Sequence, residues 1–126
     1  MLSGLRVLIV EDEAVLADDL SEIITAAEGV VVGPVATVRE ARALMKCGVA
    51  FDVAILDVNL SDGVVTPVLE ALQARGVPVL VYTGGTVPED VRRRHPSLVS
   101  LAKPVRPARL TGEIRRVATR ATQGAV

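Results

Sequence analysis

The chain has 126 residues and a formal net charge of -1, and it is 50% hydrophobic although Phe51 and Tyr82 are its only aromatics. A length near the usual ~100–150-residue mode points to one domain over residues 1–126 with an aliphatic core, leaving no room for a second, output domain. A lone Cys47 excludes a disulfide framework or a Cys-rich zinc site, and a lone His95 excludes a His-based metal cluster, so any metal must be held by oxygen.

Apolar runs rich in Val, Ile and Leu recur at 5–10, 30–35, 53–56, 77–82 and 98–102. They are short and nearly continuous, which is the pattern of strands covered on both faces in a parallel sheet. Helical stripes lie between them. Leu16, Leu20, Ile23 and Ala27 form the first, stopped by Gly29; Val38, Ala41 and Leu44 form the second, opened by a capping box at Thr37 and Glu40. Val65, Val68, Leu69 and Leu72 form the third, with Pro67 tolerable only in the first turn. A short fourth helix has Thr86 and Glu89 as a second capping box with Pro88 in its first turn. The last opens near Pro107 and buries Leu110, Ile114, Val117 and Ala121, before a flexible tail at 122–126. Alternating strands and helices with right-handed crossovers give an α/β doubly wound sheet.

No apolar run approaches the ~20 residues of a membrane span, and the opening MLSGLRVLIVEDE runs into acids, so the expectation is a cytoplasmic protein without membrane contact. The near-neutral charge disfavours DNA as a partner, but it hides an asymmetry. Residues 1–90 carry 5 basic and 14 acidic side chains, whereas residues 91–126 carry 9 basic and 1 acidic.

Ligands of an open parallel sheet bind beyond the carboxyl ends of its strands. Those ends carry Glu11, Asp12 and Glu13; Asp57 followed by Asn59; Thr83, Gly84 and Gly85; and Lys103 with Pro104. Each has an ordinary reading alone, as a helix-end acid, a turn former, a cap or a solvated lysine. Together, three carboxylates demand a raised pKa or a cation, and hard oxygen ligands suit Mg²⁺. Lys103 and Thr83 then suit a phosphate, and Asp57 is the plausible carboxylate nucleophile.

Over essentially its whole length, and through LIVEDE (8–13), ILDVNLSDG (55–63), YTGG (82–85) and LAKP (101–104), the chain resembles the receiver domain of two-component response regulators. The resemblance implies a flavodoxin-like five-stranded sheet of order 2-1-3-4-5 with five helices. It implies a phospho-accepting Asp57, with Mg²⁺ (or Mn²⁺) held by Asp12, Asp57 and the backbone carbonyl of Asn59, and Glu11 reaching the metal through water. It also implies a switch hydroxyl on Thr83, a phosphate ion pair from Lys103, a pocket left open at Gly84, and a cis peptide between Lys103 and Pro104. Asn59 and Gly85 stand where the family tunes autodephosphorylation.

One departure is Ser100, where receivers usually carry the Tyr or Phe that rotates inward on activation. Tyr82 lies beside Thr83 on the alternate face of its strand, which leaves its use as a substitute open. Val81–Gly85 is similar to the Phe-Ala-Thr-Gly-Gly/Tyr motif of a single-domain subgroup that also lacks this ring.

The implied function is a single-domain response regulator in a phosphorelay, not a turnover enzyme. A sensor histidine kinase or histidine phosphotransfer protein would donate the phosphoryl group, and an unknown downstream protein would read the result. The partner face would be the fourth helix, fifth strand and fifth helix, with Arg92, Arg93, Arg94, Arg106 and Arg109, and would take an acidic protein or a second copy of the chain. His95 reads as a helix-end residue and Cys47 as a small hydrophobe. The alternatives are an aspartyl-phosphate phosphatase of the haloacid dehalogenase type, which wants an acid where Asn59 stands, and a nucleotide- or flavin-binding module, for which no phosphate-binding glycine motif occurs.

Overall fold

The computed structural model describes residues 2–60, 62–85 and 87–124, without the side chains of Asn59, Val64 and 120–124. Five parallel strands, β1 (Arg6–Val10), β2 (Val30–Val35), β3 (Val53–Leu56), β4 (Val79–Thr83) and β5 (Val99–Ala102), pair in the order β2-β1-β3-β4-β5. The fold is thus flavodoxin-like, as the strand–helix alternation predicts. Helices α1 (Ala14–Ala26), α2 (Val38–Lys46), α3 (Thr66–Ala74), α4 (Glu89–Arg94) and α5 (Pro107–Gly124) cover the two faces.

Strand alternation divides the core in two. Leu8, Val10, Ala54, Leu56, Val79 and Val81 face α2, α3 and α4. Val7, Ile9, Val53, Ile55, Leu80 and Tyr82 face α1 and α5. Cover on both faces holds for β1, β3 and β4, whereas β2 is an edge strand that leaves Val30 47% exposed. The Gly33–Pro34 peptide in β2 is cis, where the pairing with β1 shifts register.

The helix boundaries show where local patterning is overruled. Of the predicted α1 stripe, Leu20 and Ala27 are buried, whereas Leu16 and Ile23 are half-buried and their neighbours Ala17 and Ile24 take the interior positions. In α2, Ala41 and Met45 are buried, and Val38 and Leu44 pack at the margin. Half of its capping box forms: Thr37 Oγ1 accepts from Glu40 N at 3.0 Å, while Glu40 Oε1 accepts from Ala36 N at 3.3 Å, one residue ahead of the cap. In α3 all four predicted apolar residues are buried, and Pro67 does fall in the first turn. Pro88 stands at the cap of α4, ahead of the first turn, and the capping role read for Thr86 lies outside the described residues. α5 continues through Thr122, Gln123 and Gly124 of the segment read as a tail; Ala121's side chain, and Ala125 and Val126, lie outside the described residues.

The end of α1 corrects the role of Gly29. The left-handed residue there is Glu28, at φ 69°, whereas α2 and α3 are followed by Gly48 and Gly76 in that conformation. Gly29 N donates to Ile24 O at 2.9 Å and Glu28 N to Thr25 O at 3.0 Å, a Schellman closure with glycine one position late. Gly29 is needed for close approach instead: a Cβ there would stand 2.7 Å from Ile24 Cγ2, a fully buried side chain. Opposite effects follow for neighbouring residues. Glu28→Gly relieves a left-handed L-residue and should stabilise by about 1 kcal/mol, whereas Gly29→Ala should destabilise by about 1–3 kcal/mol through overpacking. Urea denaturation of both variants checks the signs; a stable Gly29→Ala protein would contradict the packing argument.

Candidate functional site

Parallel strands deliver their carboxyl ends to one edge, and backbone hydrogen bonds set the depth of each group. Glu11 N donates to Val35 O at 2.9 Å, Asp57 N to Val10 O at 2.9 Å, and Lys103 N to Thr83 O at 2.9 Å. Because β1 lies beside β3, Glu11 and Asp12 meet Asp57; one carboxylate oxygen from each lies within 4.8 Å of the others. Glu11 and Asp57 are buried, at 2% and 7% exposure, and Asp12 is more open.

Lys103 crosses from β5 into this cluster. Its Nζ lies 2.8 Å from Glu11 Oε1 and 3.2 Å from Asp57 Oδ2, with Glu13 Oε1 at 3.9 Å. Its ammonium also stands 5.5 Å from the centre of the Tyr82 ring. Burial opposes the lysine's charge, but hydrogen bonds and attraction from Glu11 and Asp57 outweigh it and raise its pKa. Burial pushes Glu11 up to about 7, against the opposing contacts of Lys103 and Glu13 N, which donates to Glu11 Oε2 at 3.1 Å. At 2.8 Å the Glu11 Oε1 contact with the ammonium is a charge-assisted one whose angle departs from the ideal.

Thr83 is buried at the end of β4, and its Oγ1 accepts from Gly85 N at 3.1 Å, leaving the hydroxyl proton to donate. A Cβ at Gly84 would meet Lys103 Cδ at 3.7 Å, an ordinary contact, so an alanine would fit there. The Lys103–Pro104 peptide is cis. Asn59 pairs with Val64 just past Asp57, and its side chain lies outside the described ones. Of the arginines singled out in the sequence, Arg92, Arg93, Arg106 and Arg109 are exposed on α4 and around the start of α5, and Arg94 Nη1 lies 3.4 Å from Glu70 Oε1.

The acidic cluster, lysine and threonine on one sheet edge are matched by family-level similarity. The sequence model of the response regulator receiver domain matches residues 7–115. The chain belongs to this family.

A CheY-like receiver domain protein from Methanospirillum hungatei superposes with a TM-score of 0.85 at 25% identity, covering 97% of this chain and 99% of its own. A chemotaxis protein from Vibrio cholerae gives 0.75 at 28% identity over 91% of this chain and 99% of its own. The receiver domain of a Pseudomonas aeruginosa sensor histidine kinase, solved with a magnesium ion in its active-site cleft, shares the fold with a TM-score of 0.77 at 22% identity, over 93% of this chain and 99% of its own. No curated protein matches significantly in sequence. Receiver domains act in two-component signalling, interact in general with histidine kinases and phosphotransfer proteins, and are generally not catalytic enzymes. No match supports a haloacid dehalogenase-type phosphatase. Among the described residues, no helix is long and apolar enough to cross a membrane.

Burial of Glu11 makes the stability of this receiver depend on pH. With a folded pKa of about 7 against 4.5, the fold binds more protons than the unfolded chain between those values. The stabilisation is fully present below the lower value and is lost as pH rises through the upper one. In metal-free buffer, the unfolding free energy should fall by on the order of 1–3 kcal/mol between pH 5 and 8. Glu11→Gln should remove most of that slope in chemical melts, and an unchanged slope would show that another group carries it.

Proposed function

We propose that this receiver accepts a phosphoryl group on Asp57 and signals by protein contact. The observation that carries the reading is Asp57 at the end of the central strand, 3.2 Å from the Lys103 ammonium and clustered with Glu11 and Asp12. A carboxylate oxygen of Asp57 attacks phosphorus, and the bond from phosphorus to the donor's nitrogen or oxygen breaks with its electron pair on the donor. Lys103 holds a phosphoryl oxygen by charge, and the Thr83 hydroxyl donates to another.

The donor set fits a hard divalent cation: all ligands are oxygen, and one carboxylate oxygen from each of Glu11, Asp12 and Asp57 lies within 4.8 Å of the others. Asp12, Asp57 and the Asn59 carbonyl would hold Mg²⁺ or Mn²⁺, with Glu11 reaching it through water. When bound, the ion neutralises charge on the phosphoryl oxygens. The magnesium-bearing histidine-kinase receiver supports this assignment by sharing the fold.

Donors are a sensor histidine kinase or a histidine phosphotransfer protein. The receptive face is α4, β5 and α5, where Arg92, Arg93, Arg106 and Arg109 suit an acidic downstream protein or a second copy of the chain. Ser100 is exposed in a groove of about 410 Å³ with Ala102, Arg106 and Arg109, and no ring fills it. Tyr82 is committed to the core under α1 and α5. Activation therefore runs through the loop after Thr83 and α4.

Incubation with Mg²⁺ and acetyl phosphate should add one phosphoryl mass to the wild type and none to Asp57→Asn. Lys103→Met should slow the reaction by on the order of 10²-fold. Labelling that persists in Asp57→Asn, or none in the wild type, would defeat the reading.

A further inference from the structure

The segment between Asp57 and α3 is anchored outside the acidic cluster. Asn59–Leu60 pairs antiparallel with Gly63–Val64, which places Asp62 in the turn of a two-residue-strand hairpin. So short a hairpin has little stability of its own. The Asp62 carboxylate reaches back to α2: Oδ1 accepts from Val38 N at 2.8 Å and Oδ2 from Arg39 N at 3.2 Å. Those are the first two residues of the helix, whose N–H groups have no partner within it. The carboxylate also sits at the positive end of the helix dipole. The Val38 hydrogen bond holds the Asp62 carboxyl below its usual range. At the other end of α2, Arg75, the residue that caps α3, donates through Nη2 to Met45 O at 2.6 Å. Side chains flanking α3 thus grip both ends of α2.

We propose that Asp62 is a positioning residue for the cation and phosphoryl site, pre-ordering the backbone at Asn59 by tying the hairpin to the first turn of α2. The inference rests on the assignment of the Asn59 carbonyl to the metal under Proposed function. An untied loop would lose conformational freedom on binding, and that cost would appear as weaker affinity. Thr37 caps the same helix, and its side-chain hydrogen bonds among the described residues run to Glu40 and not to the loop, which separates loop positioning from helix capping.

Mg²⁺ alone is titrated calorimetrically into the wild-type chain, Asp62→Ala, Asp62→Asn and Thr37→Ala, with amide hydrogen exchange followed at Val38 and Arg39. Asp62→Ala and Thr37→Ala should both speed exchange in the first turn of α2. Only the Asp62 variants should weaken Mg²⁺ binding, by about two- to fivefold for alanine, the range of an exposed charge at a helix N-terminus, and by less for asparagine. Wild-type affinity in Asp62→Ala with faster exchange, or equal weakening in Thr37→Ala, would reduce Asp62 to a cap and overturn the inference. A wild type that binds no Mg²⁺ would overturn the metal assignment and the inference with it.

Discussion

The ammonium of Lys103 among buried carboxylates is the interaction on which the rest depends. One positive charge lies 2.8 Å from Glu11 and 3.2 Å from Asp57, with Asp12 in the same cluster. A lysine cannot neutralise three acids, and burial raises the cost of leaving them charged. The edge is therefore built with an electrostatic deficit, which shows as the upward push on Glu11. A cation and a phosphoryl group change that deficit in opposite senses. Such an edge favours a cation, and an anion there needs the added positive charge.

The sheet order is what creates this deficit. Sequence neighbours β1 and β2 pair, but β3 joins the other side of β1, so Asp57 arrives beside Glu11 instead of beyond β2. β4 and β5 then follow outward, bringing Thr83 and Lys103 in turn. Fully buried aliphatic side chains on β1 and β3 fix the register by steric fit, and the acids begin one residue after those strands end. Packing of Leu and Val thereby determines a separation between charges.

How far this was legible follows from which residues act locally. Strand runs, the Thr37–Glu40 box, the Pro67 and Pro107 starts and the strand-end polar residues depend on near neighbours, and they read directly from the sequence. The Asp57 loop does not. LSDG looks like a self-contained turn, yet Asp62 bonds to amides 24 and 23 residues away, a pairing that exists only once α2 packs beside α3. The α1 stripe through Ile23 misses the buried Ile24, because at 3.6 residues per turn adjacent positions border the same face. The close approach of Gly29 to Ile24 selects the second. Glu28 in a left-handed conformation carries no sequence signal, since glycine is the usual occupant.

The scarcity of aromatics bears on how a change at Asp57 can travel. Phe51 and Tyr82 are both buried, on opposite sides of the sheet, so neither ring is available to swing between surface and interior. What remains near Thr83 is short and lightly held: α4 has six residues, has no side-chain cap at Pro88, and buries Val91 alone. An element with so few buried apolar contacts belongs to the class that opens at low cost in free energy. Its last turn carries Arg92, Arg93 and Arg94, and only Arg94 is drawn toward an acid of another helix among the contacts of this turn, in an exposed pair worth little. Any shift of α4 would move a cluster of positive charge, which an acidic surface would sense through its charge.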